Sequence, residues 1–224
     1  YENIKEKRNI IMKSKKDVKE IIRILKETYP EAECSLDFSN PFQMAIAVLL
    51  SAQCTDARVN IVTKELFKIA PNAKEMNKLT VEEIEKYISS CGLYKTKAKN
   101  IKKLAEKVVK EYDGNIPDNM GELMELPGIG RKSANVIMLE AFHNPQGVAI
   151  DTHAKRICNR IGISKEESPE KIEQDLLKKL DKEDYFDANH LCVWHGRYTC
   201  KARRPECERC TITKYCNYFK IKNI

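Results

Sequence analysis

The central segment of the sequence reads Leu126-Pro127-Gly128-Ile129-Gly130-Arg131-Lys132-Ser133-Ala134-Asn135. Two glycines one residue apart permit a tight turn in which φ can be positive and the backbone can approach another molecule closely. Apolar residues then recur at helical spacing, which predicts a helix from about Arg131 with an apolar stripe of Ala134, Ile137, Met138 and Ala141. A helix N-terminus presents free N–H groups and the positive end of a dipole, and two cationic side chains stand beside this one. The segment therefore suits a phosphate, although Gly-x-Gly before a helix is a weak motif by itself.

The composition favours a nucleic-acid partner. Lysine and arginine number 40 against 33 aspartates and glutamates, so the formal net charge at pH 7 is +7, and a basic chain favours a polyanion. The 224 residues contain no run of eighteen apolar residues, and the N-terminus lacks the apolar segment of a secretory signal. We therefore expect a soluble, cytoplasmic protein with no membrane partner. Residues 1–11 resemble a polar tail, with Met12 as a natural start.

The nine cysteines fall into two groups. Five of them are scattered, which argues against a secreted disulfide framework: Cys34, Cys54, Cys91, Cys158 and Cys192. The other four lie within seventeen residues, at Cys200, Cys207, Cys210 and Cys216. Thiolates this close can surround one metal centre, either zinc or iron–sulfur. A zinc ribbon usually has two Cys-x2-Cys pairs, whereas this series has one.

A second motif, Val148-Ala149-Ile150-Asp151-Thr152-His153, follows the glycine turn. Residues 126–132, this motif and the four clustered cysteines together resemble the endonuclease III family, which comprises DNA glycosylases with a helix-hairpin-helix and an iron–sulfur cluster. The resemblance extends from about residue 15 to the C-terminus, and the separate motifs agree in order and spacing.

Helical periodicity predicts an all-α protein, with Val148 to Ile150 as the one possible extended segment. Gly92 is predicted to end a helix as its left-handed C′ residue. The resemblance implies a two-domain helix-hairpin-helix DNA glycosylase fold. Its first domain is a six-helix barrel containing the hairpin, over residues 34–144. Its second domain combines residues 1–33 with 145–224 and carries the iron–sulfur cluster loop. The substrate cleft is expected between the two domains.

Two residues are the candidate catalytic groups. A neutral lysine amine can attack C1′ of a nucleotide and form a Schiff base, so we expect Lys132 to be the nucleophile. Burial in a cleft and the neighbouring Arg131 would both favour its neutral form. Asp151 would stabilise positive charge as the base departs and assist deprotonation of the amine. The structural alternatives are a phosphate-binding Lys132 and an Asp151 that only caps the following helix.

A further set of residues is expected to contact DNA. A glycosylase must extrude the damaged nucleotide, and the resemblance implies that Gln53 fills the gap and Leu93 wedges the strands. The alternatives are a helix-end amide bonded to free carbonyls for Gln53 and an ordinary apolar contact for Leu93. Gly128, Gly130 and Arg131 would contact the DNA backbone, and His153 is either a phosphate contact or a core histidine.

The cysteine series matches the family at all four positions, which implies a [4Fe–4S] cluster. The loop between Cys200 and Cys207 carries Lys201, Arg203 and Arg204, and we expect these to contact phosphates. The cluster is expected to be structural, because four protein ligands leave no open position for substrate.

The resemblance implies a bifunctional DNA glycosylase and abasic-site lyase of base excision repair, which removes oxidised pyrimidines from duplex DNA. A monofunctional mispair glycosylase of the same fold is the first alternative; Lys132 and a chain end eight residues past Cys216 argue against it. A non-catalytic iron–sulfur DNA-binding protein is the second alternative, and it would need neither Lys132 nor Asp151. The expected partner is duplex DNA with damaged bases or abasic sites. We expect a monomer in a bacterial or archaeal cytoplasm, associated with the nucleoid.

Overall fold

The computed structural model describes residues 11–222, so most of the predicted N-terminal tail lies outside the described residues. Residues 11–222 are helical with no β-strand, which confirms the all-α fold class. The chain forms two compact units. One spans Cys34–Gln146, and the other combines the chain up to Glu33 with the chain from Gly147 onward. No helix in residues 11–222 is long and apolar enough to cross a membrane.

The unit Cys34–Gln146 is built around one apolar helix, α2. Its helices are α2 (Pro41–Ser51), α3 (Asp56–Ile69), α4 (Ala73–Lys78), α5 (Val81–Ile88), α6 (Tyr94–Glu111), α7 (Met120–Met124) and α8 (Arg131–Glu140). Helix α2 begins where Asn40 accepts a hydrogen bond from the backbone N–H of Gln43 and Pro41 occupies the first helical position. Nine consecutive residues of α2 are buried. Each large apolar side chain among them contributes about 1.5–3 kcal/mol to folding.

Gly92 does not have the predicted left-handed conformation. The left-handed residue is Leu93, with φ of 58°, which directly precedes α6. A Cβ atom at Gly92 would lie 3.1 Å from the carbonyl oxygen of Gln53, closer than side-chain carbons normally approach. The glycine therefore permits a close approach of two backbones and does not supply a positive φ.

The other unit has its own apolar core. Its helices are α1 (Lys15–Thr28), α9 (Thr152–Ile161), α10 (Pro169–Leu177), α11 (Tyr185–Tyr198) and α12 (Asn217–Lys222). Helix α1 begins with a capping box, in which Ser14 accepts from the N–H of Asp17 while the Asp17 carboxylate accepts from the N–H of Ser14. Buried side chains from α1, α9, α10 and α11 share one cluster with Val148 and Ile150. The segment from Val148 to Ile150 is not a β-strand, and it leads directly into α9.

Candidate active site and DNA-contacting surfaces

The predicted glycine turn joins α7 to α8. The backbone N–H of Ile129 donates to the carbonyl of Leu126 at 3.0 Å, and Gly128 has φ of 82°. The positive φ favours glycine here, and a Cβ atom at this position would lie 2.9 Å from Leu49 Cδ1 and displace the end of that side chain.

Gly130 has a different role from Gly128. It precedes α8 as its N-cap residue with an ordinary φ of −97°, and no atom lies within 4 Å of the position that its Cβ would occupy. Glycine offers no side chain to cap the helix, so first-turn N–H groups can bind an anion. Arg131 and Lys132 are both exposed on that turn. Burial of the amine in a substrate cleft stays a prediction.

Asp151 is the N-cap residue of α9, as the sequence predicted. Its Oδ1 accepts a hydrogen bond of 2.7 Å from the N–H of Ala154, and its side chain is half-buried. The segment before it is fixed by Asn189, a buried residue of α11 that the sequence analysis missed. Asn189 Oδ1 accepts from the N–H of Ala149 at 2.8 Å, and Nδ2 donates to the carbonyl of Gly147 at 3.1 Å. Asn189 therefore determines the path of the chain into Asp151.

His153 is half-buried and contacts its own unit. Its Nδ1 lies 3.1 Å from Arg156 Nη2, and its Cβ lies 2.7 Å from the position of a Cβ at Gly196. Arg156 also donates to the carbonyls of Cys200 and Gly196. These contacts fit the alternative of a core histidine, and the phosphate contact stays a prediction.

Gln53 and Leu93 are exposed, and both have left-handed backbone conformations, with φ of 53° and 58°. Both belong to the unit Cys34–Gln146. The sequence indicated their positions but not their backbone conformations. It also missed Lys97 of α6, whose buried side chain donates to carbonyls at the end of α2.

The four clustered cysteines line one small cavity of about 20 Å³. Burial raises the pKa of the Cys210 thiol to about 11 and also raises the pKa of Cys216. Arg160 Nη1 lies 3.4 Å from Cys200 Sγ, where it would stabilise a thiolate. Within residues 11–222, no three His, Cys, Asp or Glu side chains are close enough to share a single metal ion. The ligands of a four-iron cluster each bind a different iron, so they need not meet that spacing.

The loop after Cys200 is exposed at Lys201, Arg203 and Arg204. Lys201 forms an ion pair with Glu206, and side-chain hydrogen bonding from Lys201 lowers the pKa of that carboxylate. The Arg160 guanidinium donates hydrogen bonds to the carbonyl of Lys201 at 2.8 Å and to the carbonyl of Ala202 at 3.0 Å. The loop is therefore fixed by protein contacts at its first residues, with its arginine side chains directed away from the core.

The chain is similar in sequence to known DNA repair proteins. Residues 46–182 match the HhH-GPD superfamily of base excision DNA repair proteins. Endonuclease III of Synechocystis sp. is 45% identical over 206 residues, covering 92% of this chain and 94% of that protein. Endonuclease III of Escherichia coli K12 is 42% identical over 199 residues, covering 89% of this chain and 94% of that protein.

The fold agrees with that sequence similarity. A solved structure of a trapped endonuclease III–DNA covalent intermediate superposes with a TM-score of 0.90 at 39% identity, over 95% of this chain and 100% of that chain. A non-covalent endonuclease III–DNA complex superposes with a TM-score of 0.89, also at 39% identity. The resemblance inferred from the motifs is confirmed: the chain belongs to the HhH-GPD superfamily of base excision DNA repair proteins and, within it, to the endonuclease III family.

Proposed function

We propose that the protein is a bifunctional DNA glycosylase and abasic-site lyase of base excision repair, acting on oxidised pyrimidines in duplex DNA. The observation that carries this proposal is a lysine on the exposed first turn of the helix after the hairpin, in a fold that superposes on a covalent enzyme–DNA intermediate. The first turn of α8 can bind a phosphate of the DNA backbone. The exposed amine of Lys132 on that turn can then reach the sugar of the same nucleotide.

In the proposed reaction, the neutral Nζ of Lys132 attacks C1′ of the damaged nucleotide. The bond from C1′ to the base breaks, its electron pair leaves with the base, and the base takes up a proton. Asp151 supplies negative charge near the electron-deficient sugar and accepts the amine proton. Its capping bond to Ala154 fixes the carboxylate without neutralising it.

The lyase step follows from the imine. Opening of the sugar ring gives a Schiff base between Lys132 and C1′, which makes the C2′ proton acidic. A base such as water takes that proton, its electron pair forms a double bond between C2′ and C3′, and the bond from C3′ to the phosphate oxygen breaks with the phosphate leaving as an anion. Water then hydrolyses the imine and releases the enzyme.

We also propose that Cys200, Cys207, Cys210 and Cys216 hold a [4Fe–4S] cluster. The four thiols line one cavity, and Arg160 lies next to one sulfur. When bound, the cluster would supply a structural cross-link between the end of α11 and the start of α12. No step of the base-excision reaction passes through it.

Borohydride trapping tests the catalytic proposal. Borohydride reduces an imine to a stable amine, so the protein with a duplex that contains an oxidised pyrimidine should give a covalent protein–DNA adduct. Lys132→Gln should give no adduct while it still binds DNA. Excision without any trapped adduct from the unsubstituted protein would instead indicate a monofunctional glycosylase, and an adduct from Lys132→Gln would mean that another amine is the nucleophile.

A further inference from the structure

Gln53 lies at the tip of a strained turn over residues 51–54. The N–H of Cys54 donates to the carbonyl of Ser51 at 3.1 Å, and Ala52 has φ of −58° and ψ of 116°. These values define a type II turn, in which the third residue needs a positive φ and is normally glycine or asparagine. A glutamine there costs about 1 kcal/mol or more. The Gln53 side-chain amide is therefore exposed on a backbone conformation that lowers the free energy of unfolding.

Leu93 also has a left-handed backbone conformation, in the short turn directly before α6. It combines φ of 58° with a side chain that is 60% exposed. A leucine in this conformation is strained, and its exposure yields no packing energy within the protein. In both turns, a residue with a large exposed side chain thus has an unfavourable left-handed backbone conformation.

The two turns are in direct contact. The carbonyl oxygen of Gln53 lies 3.1 Å from the position that a Cβ would occupy at Gly92, the residue before Leu93. A larger residue at position 92 would press against the Gln53 backbone, so the two turns pack closely at this point.

Lys97 binds both turns. Its side chain is only 4% exposed, and Nζ donates to the carbonyls of Leu50 at 2.9 Å and Ala52 at 2.6 Å. Its backbone N–H donates to the carbonyl of Leu93 at 3.0 Å. The bond to Leu93 is the first helical bond of α6, so the Lys97 side chain fixes the start of this helix, and with it Leu93, against the end of α2.

The side-chain bonds of Lys97 determine the direction of Gln53. The carbonyl of Ala52 belongs to the peptide plane that continues into Gln53, so holding its oxygen fixes the orientation of that plane. Terminal helix carbonyls carry partial negative charge and lack helical partners, which makes an ammonium group a suitable ligand. A glycine at the helix end would satisfy them without burying a cation. Because the lysine binds these carbonyls, position 53 need not be glycine and can hold glutamine, which has a long side chain.

We propose that Lys97 is a positioning residue that couples Gln53 to Leu93, so that the two side chains enter the base stack as one unit. This inference rests on the proposed function and on the expectation, implied by the family resemblance, that both side chains enter the duplex around the extruded nucleotide. A pair held in its bound arrangement before DNA arrives loses less conformational entropy on binding.

Lys97→Met tests the first consequence, because methionine keeps an apolar stem and removes the ammonium group. Lys103→Met, on the exposed face of the same helix, is the matched control. Excision of a paired lesion by Lys97→Met should fall about tenfold or more, since misplacement by an ångström has effects of this size. Cleavage of a pre-formed abasic site, which has no base to unstack, should change less than about twofold. Equal losses on the two substrates would overturn the inference. Lys97→Gln, which removes the ammonium group but keeps a polar tip, serves if Lys97→Met does not fold.

A double-mutant cycle tests the coupling itself. Gln53→Ala, Leu93→Ala and the double variant are assayed for paired-lesion excision with Lys97 present and with Lys97→Met or Lys97→Gln. With Lys97, the double variant should lose less than the product of the single losses, by about threefold or more. Without the lysine side chain, the combined loss should come closer to the product of the single losses, because only the packing at Gly92 still joins the two turns.

The alternative outcomes separate this inference from the proposed function. Equal coupling with and without the lysine would overturn the inference and leave the function standing. No effect of either alanine variant in an enzyme that still excises the lesion would overturn both the coupling and the DNA role of the two turns. Absence of any excision or trapped adduct would refute the proposed function itself.

Discussion

The Asp151 carboxylate combines a structural bond with an expected catalytic charge. One oxygen, Oδ1, caps α9 through the N–H of Ala154. This oxygen lies at the N-terminus of α9, where the helix dipole favours negative charge. The cap therefore supports the proposed charge stabilisation and does not compete with it.

Asp151→Asn separates the cap from the charge. Asparagine caps helices about as well as aspartate, so the free energy of unfolding should change by less than about 0.5 kcal/mol. Loss of the charge should lower excision by about a hundredfold or more, with less effect on trapping at a pre-formed abasic site. Chemical denaturation and single-turnover kinetics measure the two effects. Asp151→Ala is the control, since it should also lose about 1 kcal/mol with the cap. Full excision by Asp151→Asn would leave this residue with a capping role only.

Sequence reasoning found the residues whose local pattern carries information. The Asp151 cap and the Gly128 turn depend on neighbours a few positions away, and the structure confirms both conformations. Lys97 and Asn189 could not be found in this way. The partners that give them these roles, Leu50 for Lys97 and Ala149 for Asn189, lie 47 and 40 positions away, and each residue stands among ordinary helical residues. Gly92 was misjudged for the same reason, because its close neighbour is the distant Gln53 backbone.

The hairpin between α7 and α8 contains two glycines with separate physical tasks. Gly128 combines a positive φ with a tight contact to Leu49, whereas Gly130 has an ordinary φ and open space around it. The first is therefore needed by the fold, and the second leaves room for a partner. A DNA phosphate requires this room if it is to reach the N–H groups of α8.

Alanine at each of these two positions should give opposite results. Gly128→Ala should lower the free energy of unfolding by about 1–3 kcal/mol, because the conformation is strained and the new carbon meets Leu49. Gly130→Ala should change it by less than about 1 kcal/mol, yet it should weaken DNA binding, because the added methyl group obstructs the phosphate. Thermal unfolding and fluorescence anisotropy with a duplex measure the two properties. A Gly130→Ala variant with unchanged affinity would place the DNA backbone elsewhere.

The loop after Cys200 offers a second expected phosphate-binding surface. Replacing Arg203 and Arg204 by alanine should weaken binding to many duplex sequences alike, because phosphate contacts carry little sequence information. The slope of log K against log salt should fall in magnitude by about 2, since each phosphate that an arginine neutralises contributes close to one unit. Titrations at several salt concentrations measure it. An unchanged slope would show that both arginines face only solvent in the complex.

The two compact units differ in what holds them together. The unit Cys34–Gln146 has a continuous apolar core around α2. In the other unit, the segment that carries the four clustered cysteines consists of loops, two 3₁₀ turns and the short helix α12. Short elements of this kind bury little apolar surface. We therefore expect the second unit to depend on the proposed cluster more than the first does.

Metal removal should affect the two units unequally. Protein purified anaerobically should contain about four irons per chain and absorb visible light, as expected for a [4Fe–4S] cluster; one equivalent of zinc without iron would refute this assignment. After removal of the iron, amide hydrogen exchange should accelerate by about tenfold or more around Cys200–Cys216 and along α9, because Arg160 links that helix to the cysteine loop. Protection in α2 and α6 should persist, since their core contains none of the four ligands. Mass spectrometry of peptic fragments resolves these segments. Equal loss of protection throughout residues 41–140 would show that the cluster stabilises the whole chain as a single cooperative structure.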